Sequence, residues 1–167
     1  MRQDDALLAD GLAPGPRMAL YQPDIPQNTG AALRLAAGLA VALDIIEPLG
    51  FVWRPQEVRR VALDYGEAAR VTRHASWDAF RAAAGGRRLV LLTTKADRAY
   101  VDFRFDADDI LLLGRESAGV PDDVHAAAGA RLCVPMTPPA RSLNVIVCAA
   151  MVLGEALRQT RWRREEP

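Results

Sequence analysis

The run Ile110-Leu111-Leu112-Leu113-Gly114-Arg115-Glu116-Ser117-Ala118-Gly119-Val120-Pro121 passes from large apolar residues straight into a loop of glycines and a proline. An unbroken apolar run that ends in such a loop is the pattern of a strand covered on both faces, as in parallel sheets. Leu89-Val90-Leu91-Leu92-Thr93 has the same character. Working outward, Met18–Tyr21, Ala42–Ile46, Ala69–Thr72 and Leu132–Val134 read as further strands. Helices are expected between them. One is capped by Asn28 or Thr29 and runs through Arg34 to Leu39. A short one starts at Pro55 and reaches Val61. Ser76 caps another, to Ala84, with Trp77 and Phe80 on one face; Pro121–Ala128 forms a fourth, and Leu143–Trp162 a long last one. Strands alternating with helices predict an α/β fold, with a mostly parallel sheet and helices on both faces.

Composition agrees with a globular chain of one domain. Of 167 residues, 50% are hydrophobic and 25% charged, which excludes intrinsic disorder. Met1–Arg17, rich in aspartate, glycine and proline, is expected to be a flexible extension, with residues 18–167 as the single domain. No apolar run approaches the ~20 residues of a membrane span, and no signal-peptide pattern opens the chain, so a cytoplasmic protein is expected. Cys133 and Cys148 form no C-x-x-C pair and read as small buried hydrophobes; no metal is expected. Net charge is zero, which leaves an RNA partner open. Lys95 is the lone lysine among many arginines, a bias that suits phosphate recognition but equally reflects coding preference.

Open α/β sheets bind ligands beyond the C-terminal ends of their strands. Three loops at such ends carry unusual residues. Pro23-Asp24-Ile25-Pro26-Gln27-Asn28-Thr29-Gly30, with Arg34 about one turn into the helix, could receive an anion at a helix N-terminus or be an ordinary capped loop. Gly114–Pro121 allows close backbone approach, and Glu116 offers an acceptor. It lacks both the G-K-[ST] ending of a Walker loop and the G-x-G-x-x-G pattern, which disfavours nucleotide-phosphate sites of those types. Val134-Pro135-Met136-Thr137-Pro138-Pro139-Ala140-Arg141-Ser142-Leu143-Asn144 leads rigidly into the last helix. Capping by Ser142 would explain one of its polar residues, but not Arg141 and Asn144 as well.

Together these segments resemble the three motifs of the SPOUT superfamily of knotted RNA methyltransferases. Leu20 to Gly30 with Arg34 is similar to the first motif, Gly114–Pro121 to the second, and Pro135-Met136 with Ser142-Leu143-Asn144 to the third. Ile45–Phe51, Leu63-Asp64-Tyr65, Val71-Thr72-Arg73-His74 and Leu92-Thr93-Thr94-Lys95 resemble the short subgroup that methylates the wobble cytidine or uridine of leucine tRNAs. The resemblance spans about Met18 to Gln159. It implies a C-terminal trefoil knot, a rare departure from unknotted topology. It implies S-adenosylmethionine (SAM) as methyl donor, in a pocket lined at Leu92, Gly114, Glu116, Val134, Met136 and Ser142. It also implies a homodimer with tRNA bound at the subunit interface and the last helix packed across it.

For the reaction the resemblance implies Arg34, Ser142 and Asn144 at the reacting centre, with Asn28, Arg34 and Arg141 toward the RNA. Arginine stays protonated in proteins, so Arg34 is expected to orient the hydroxyl through a phosphate, or to stabilise developing negative charge, rather than act as a base. Asn144 is expected to hold the ribose or the SAM carboxylate. His74 is expected on the surface or in packing, and His125 in a structural role; Trp53, Trp77 and Trp162 are expected in burial or an interface. Val145-Ile146 and Gly154 depart from the subgroup pattern, which usually has a small residue then serine, and later a tyrosine before glutamate. Other readings are methylation at another tRNA or rRNA position, a silent SAM- or RNA-binding module, and a generic nucleotide-binding domain.

Overall fold

A computed structural model of the chain describes residues 15–56, 60 and 70–162. Six strands form one sheet in the order β3-β2-β1-β5-β4-β6, and every neighbouring pair is parallel. The strands are β1 (Arg17–Tyr21), β2 (Ala42–Ile46), β3 (Arg70–His74), β4 (Leu89–Leu92), β5 (Ile110–Leu113) and β6 (Ala130–Leu132). The helices are α1 (Pro26–Gly38), α2 (Trp77–Ala84), α3 (Asp122–Ala127) and α4 (Val145–Thr160).

The strand residues divide by alternation, as the pleat requires. Met18, Leu20, Leu43, Ile45, Leu111 and Leu113 face α1 and α4. Ala19, Tyr21, Ile46, Ile110 and Leu112 face α2 and α3. The sheet is thus covered on both sides. On the first side, α4 buries Ile146, Ala149, Val152, Leu153, Ala156 and Leu157, a stripe at helical spacing. Small residues on both helices, Ala32 and Ala36 on α1 with Ala149 and Ala156 on α4, are fully buried in this layer. Among the described residues no helix is long and apolar enough to cross a membrane.

Several ends differ from the sequence reading. Helix α1 is capped by Ile25, not by Asn28 or Thr29. Pro26 has its φ fixed at a helical value and lacks an N–H, so it takes the first position of the helix. The N–H groups of Asn28 and Thr29 then bond to the Ile25 carbonyl, at 3.2 Å each. Ser76 does cap α2, accepting from the Ala79 N–H at 3.1 Å, and Gly85 ends the helix in the left-handed region at φ 61°. The last helix is capped by Asn144 rather than Ser142. Strand β3 ends at His74, later than expected, and β6 ends at Leu132, before Cys133 and Val134. Arg17 belongs to β1 rather than to the lead before it; the rest of the expected extension, as far as Pro14, lies outside the described residues. So does Leu63-Asp64-Tyr65, together with most of the helix expected after Pro55.

Thr29, Asp44, His74 and Asp109 are polar residues buried among the described residues, and Asp44 is held by two partners. Asp44, in the middle of β2, is 3% exposed. Arg17 grips it bidentately at 3.0 and 3.1 Å, and His74 Nε2 meets Asp44 Oδ1 at 2.8 Å. His74 also stacks edge-on against Phe80 with centroids 5.3 Å apart. His74 is therefore a packing residue. Trp77 packs against Tyr21 and Phe80, and Trp53 lies under the Arg73 guanidinium. Trp162 stays 49% exposed, so of its two expected settings, burial or an interface, it does not meet the first within this chain.

Candidate active site

A cleft of about 570 Å³ opens at the C-terminal ends of β4, β5 and β6. Its volume falls within the range of small-molecule sites. Its walls are the segments 92–95, 114–120, 132–136 and 142–145, with Ile25 and Asn28 contributed by α1 and its cap. Leu92, Gly114, Glu116, Val134, Met136 and Ser142, all anticipated as pocket residues, stand on these walls, and so do Asn28 and Asn144.

Two anticipated residues do not. Arg34 and Arg141 are exposed and lie outside the wall. The early start of α1 explains Arg34. Counting from Pro26 it sits about 12 Å along the axis, over two turns from the N-terminus rather than one.

The close fit of the second loop depends on glycine. Gly119 adopts φ +63°, and a Cβ on Gly114 would come within 2.8 Å of the Gly119 carbonyl carbon. Arg115 and Gly119 exchange backbone hydrogen bonds of 3.0 and 2.8 Å, closing the loop on itself.

Hydrogen bonds then tie the three loops together. Asp24 accepts from the Glu116 N–H at 3.1 Å, from the Ser117 N–H at 3.3 Å, and from the Ser117 hydroxyl. The Asn28 amide donates to Glu116 Oε1 at 2.8 Å. Asn28 Oδ1 in turn accepts from Asn144 Nδ2 at 3.0 Å. Asn144 Oδ1 caps α4, accepting from Ile146 and Val147 N–H groups at 2.9 and 3.3 Å. One N–H of the Asn144 amide remains to offer a ligand. The Ser142 hydroxyl makes no hydrogen bond among the described residues.

The two carboxylates share this network unequally. Hydrogen bonding with Glu116, then with Ser117, holds Asp24 down to about 2. Burial pushes Glu116 up, and its contact with Asp24 adds to the rise. Asp24 is therefore the more acidic of the pair, and backbone N–H donors meet its carboxylate.

Sequence reasoning gave no role to Asp24, which organises the second loop. Its only signal was a carboxylate between two prolines. It also missed His125 and Cys148 as wall residues, because each looks like an ordinary helical residue. The departure at Val145-Ile146 has a plain reason: Ile146 is 8% exposed and belongs to the core.

The chain has counterparts among known proteins. A tRNA (cytidine(34)-2'-O)-methyltransferase of Beijerinckia indica subsp. indica is 60% identical over 144 residues, covering 85% of this chain and 90% of that protein. The protein of the same name from Escherichia coli K12 is 40% identical, covering 85% and 92%. A solved structure described as giving structural insights into the 2-OH methylation of C/U34 on tRNA superposes with a TM-score of 0.83 at 38% identity, over 88% of this chain and 97% of that one. The SpoU methyltransferase AviRb from Streptomyces viridochromogenes, in complex with the cofactor AdoMet, superposes with a TM-score of 0.75 at 28% identity, over 95% and 66%. The model of the SpoU rRNA methylase family matches residues 16–154. The chain therefore belongs to the SpoU methylase family.

Proposed function

We propose that this protein methylates the 2′-hydroxyl of the wobble cytidine or uridine of tRNA, leucine tRNAs foremost, with SAM as the methyl donor. The observation that carries the reading is the agreement between the cleft and the relatives. The wall residues anticipated for SAM stand around one cavity, and proteins 40 to 60% identical over 85% of the chain bear the name of that activity.

The cleft suits the donor on its own terms. Gly114 and Gly119 leave room where a Cβ would intrude. Buried, unpartnered N–H groups of Arg115 and His125 belong to wall residues. SAM supplies a methyl group on a positively charged sulfur. The protein holds the acceptor oxygen in line with it, and alignment of this kind lowers a barrier by several kcal/mol. Ser142 and Asn144 sit on the wall with donors to spare and are assigned to the reacting centre. Arg34 and Arg141, exposed outside the cleft, are assigned to RNA: Arg141 to the backbone, Arg34 to a phosphate beside the hydroxyl or to the developing charge on its oxygen. Asn28 faces the RNA side while holding Glu116.

The reading includes a C-terminal trefoil knot, a homodimer and action in the cytoplasm. An apolar line supports the dimer: Leu143, Val147 and Met151, spaced four apart, are 43, 49 and 40% exposed. Gly154 continues it, with open space where a Cβ would be.

The test is incubation of the protein with SAM and tRNA lacking the wobble mark, followed by mass spectrometry of the nucleosides. A methylated ribose at the first anticodon position supports the reading. Methylation elsewhere keeps the chemistry and discards the target. SAM binding without transfer points to a silent module.

A further inference from the structure

His125 projects from α3, and the sequence gives it no more than a structural role. The structure puts it on the cleft wall. Arg131 Nε donates to His125 Nδ1 at 2.9 Å, and Arg131 also clasps the His125 carbonyl at 2.7 and 3.1 Å. A guanidinium can only donate, so Nδ1 is the acceptor and the ring's proton sits on Nε2. That Nε2 is buried and has no hydrogen-bond partner among the described residues. A buried donor without a partner carries a desolvation cost that only a ligand, or an ordered water, can relieve.

The neighbourhood narrows the ligand group. Val124, the residue beside His125, packs in one apolar cluster with Leu91, and Val120 packs against that cluster. Leu91, Val120 and Leu132 are wall residues too. The spare polar groups of Ser142 and Asn144 come from the segment entering α4, and the methyl group must face that side. A neutral ring N–H at an apolar wall fits a flat heteroaromatic acceptor better than a carboxylate or an ammonium group.

We infer that His125 donates its Nε2–H to a ring nitrogen of the adenine of SAM, held in the donor tautomer by Arg131. This rests on the cleft being the SAM site, and adds to that site a side-chain contact on the adenine. Arg131 is a positioning residue: it sets where the proton lies and touches no ligand.

The test is calorimetric titration with S-adenosylhomocysteine and with its 1-, 3- and 7-deaza analogues, which each lack one ring nitrogen. His125→Asn keeps an acceptor oxygen for Arg131 but is too short to reach the ligand. It should weaken S-adenosylhomocysteine roughly 3- to 10-fold, the scale of one neutral hydrogen bond, with the ligand-free melting temperature unchanged. His125→Gln, whose amide nitrogen reaches the place of Nε2, should recover most of the loss. The wild-type protein should disfavour one deaza analogue by a similar factor, and His125→Asn should no longer distinguish it. A His125→Asn protein that binds S-adenosylhomocysteine as tightly as wild type, or keeps the same discrimination, overturns the inference and leaves the cleft assignment standing. A folded wild-type protein that binds no S-adenosylhomocysteine overturns both.

Discussion

Asn28 Oδ1 accepts a hydrogen bond from Asn144 Nδ2 at 3.0 Å, joining the first turn of α1 to the cap of α4 across 116 residues of chain. The other end of the same Asn28 amide holds Glu116 at 2.8 Å. Neither asparagine can flip its amide without losing its side-chain bonds, two for Asn28 and three for Asn144. Asn144→Ser separates the two duties of Asn144, because serine still caps a helix but is too short to reach Asn28. Its melting temperature should stay within a few degrees of wild type, while Asn144→Ala loses about 1 kcal/mol with the cap. Both should lower turnover at least 10-fold. Thermal denaturation beside single-turnover methylation separates the effects; a serine variant with full turnover would show that the tie to Asn28 is dispensable.

Gly114→Ala drives a methyl group to within 2.8 Å of the Gly119 backbone. Backbone on both sides cannot yield as a flexible side chain would. The expected cost is about 1–3 kcal/mol, concentrated in the cleft wall. Cofactor binding should fall at least 10-fold while the circular dichroism spectrum keeps its native shape. Titration with S-adenosylhomocysteine checks this.

Asp24 and Glu116 respond to pH with opposite signs. Asp24 has a folded-state value of about 2, below its ordinary 3.8. Its stabilising contribution is therefore present above 3.8 and is lost as pH falls through the window down to about 2. Glu116 is raised, so its contribution is present below the ordinary carboxylate range and is lost as pH rises through its folded value. Urea denaturation across pH should show Asp24→Asn lacking one part of the acid-side loss of stability. Glu116→Gln, which keeps an acceptor for Asn28, should gain on wild type as pH rises from 4 toward neutrality. Parallel curves for either variant and wild type would remove that residue from the linkage.

Arg34→Ala should separate binding from chemistry. Arg34 is exposed and off the cleft wall, so affinity for S-adenosylhomocysteine should stay within about 2-fold, since a surface charge contributes little there. Turnover on tRNA should fall by about 100-fold or more, the scale of one lost electrostatic contact in a transition state. Equal loss of both would return Arg34 to a structural role.

Asp44→Ala strands Arg17 and His74 without their carboxylate. Breaking a buried ion pair from one side costs roughly 3–5 kcal/mol. Arg17 retains some exposure, 18% of its side chain, so the lower end of that range is expected from urea unfolding. Cofactor affinity per folded molecule should be unchanged, because none of these three residues lines the cleft.

The sheet could be read from the sequence wherever short runs were apolar or nearly so. Ile110–Leu113 and Ala42–Ile46 stand where their residue patterns put them. Strand β6 did not, because Ala130 and Arg131 look like loop residues yet pair with Val90 and Leu91. The more apolar Cys133 and Val134 serve the cleft wall instead. The cleft residues were legible through motif resemblance, since each motif is a short continuous run. What joins the motifs was not. Asn28 reads locally as a turn former or cap, and only the fold shows that its partners are Glu116 and Asn144. Arg34 was misplaced for a similar reason: Pro26 decides where α1 begins, and moving that start by one turn carries Arg34 away from the helix end.

The bond between Asn28 and Asn144 also sets an order of events. Segments near the two ends of the described chain must meet before the cleft has both of its sides, and contacts of such sequence separation form late and slowly. A ribosome that has released residues as far as Arg141 has supplied all six strands of the sheet but not the cap of α4. The nascent protein thus holds every strand before it holds its ligand site, and the core layer under α4 and the cleft wall are completed together when α4 docks.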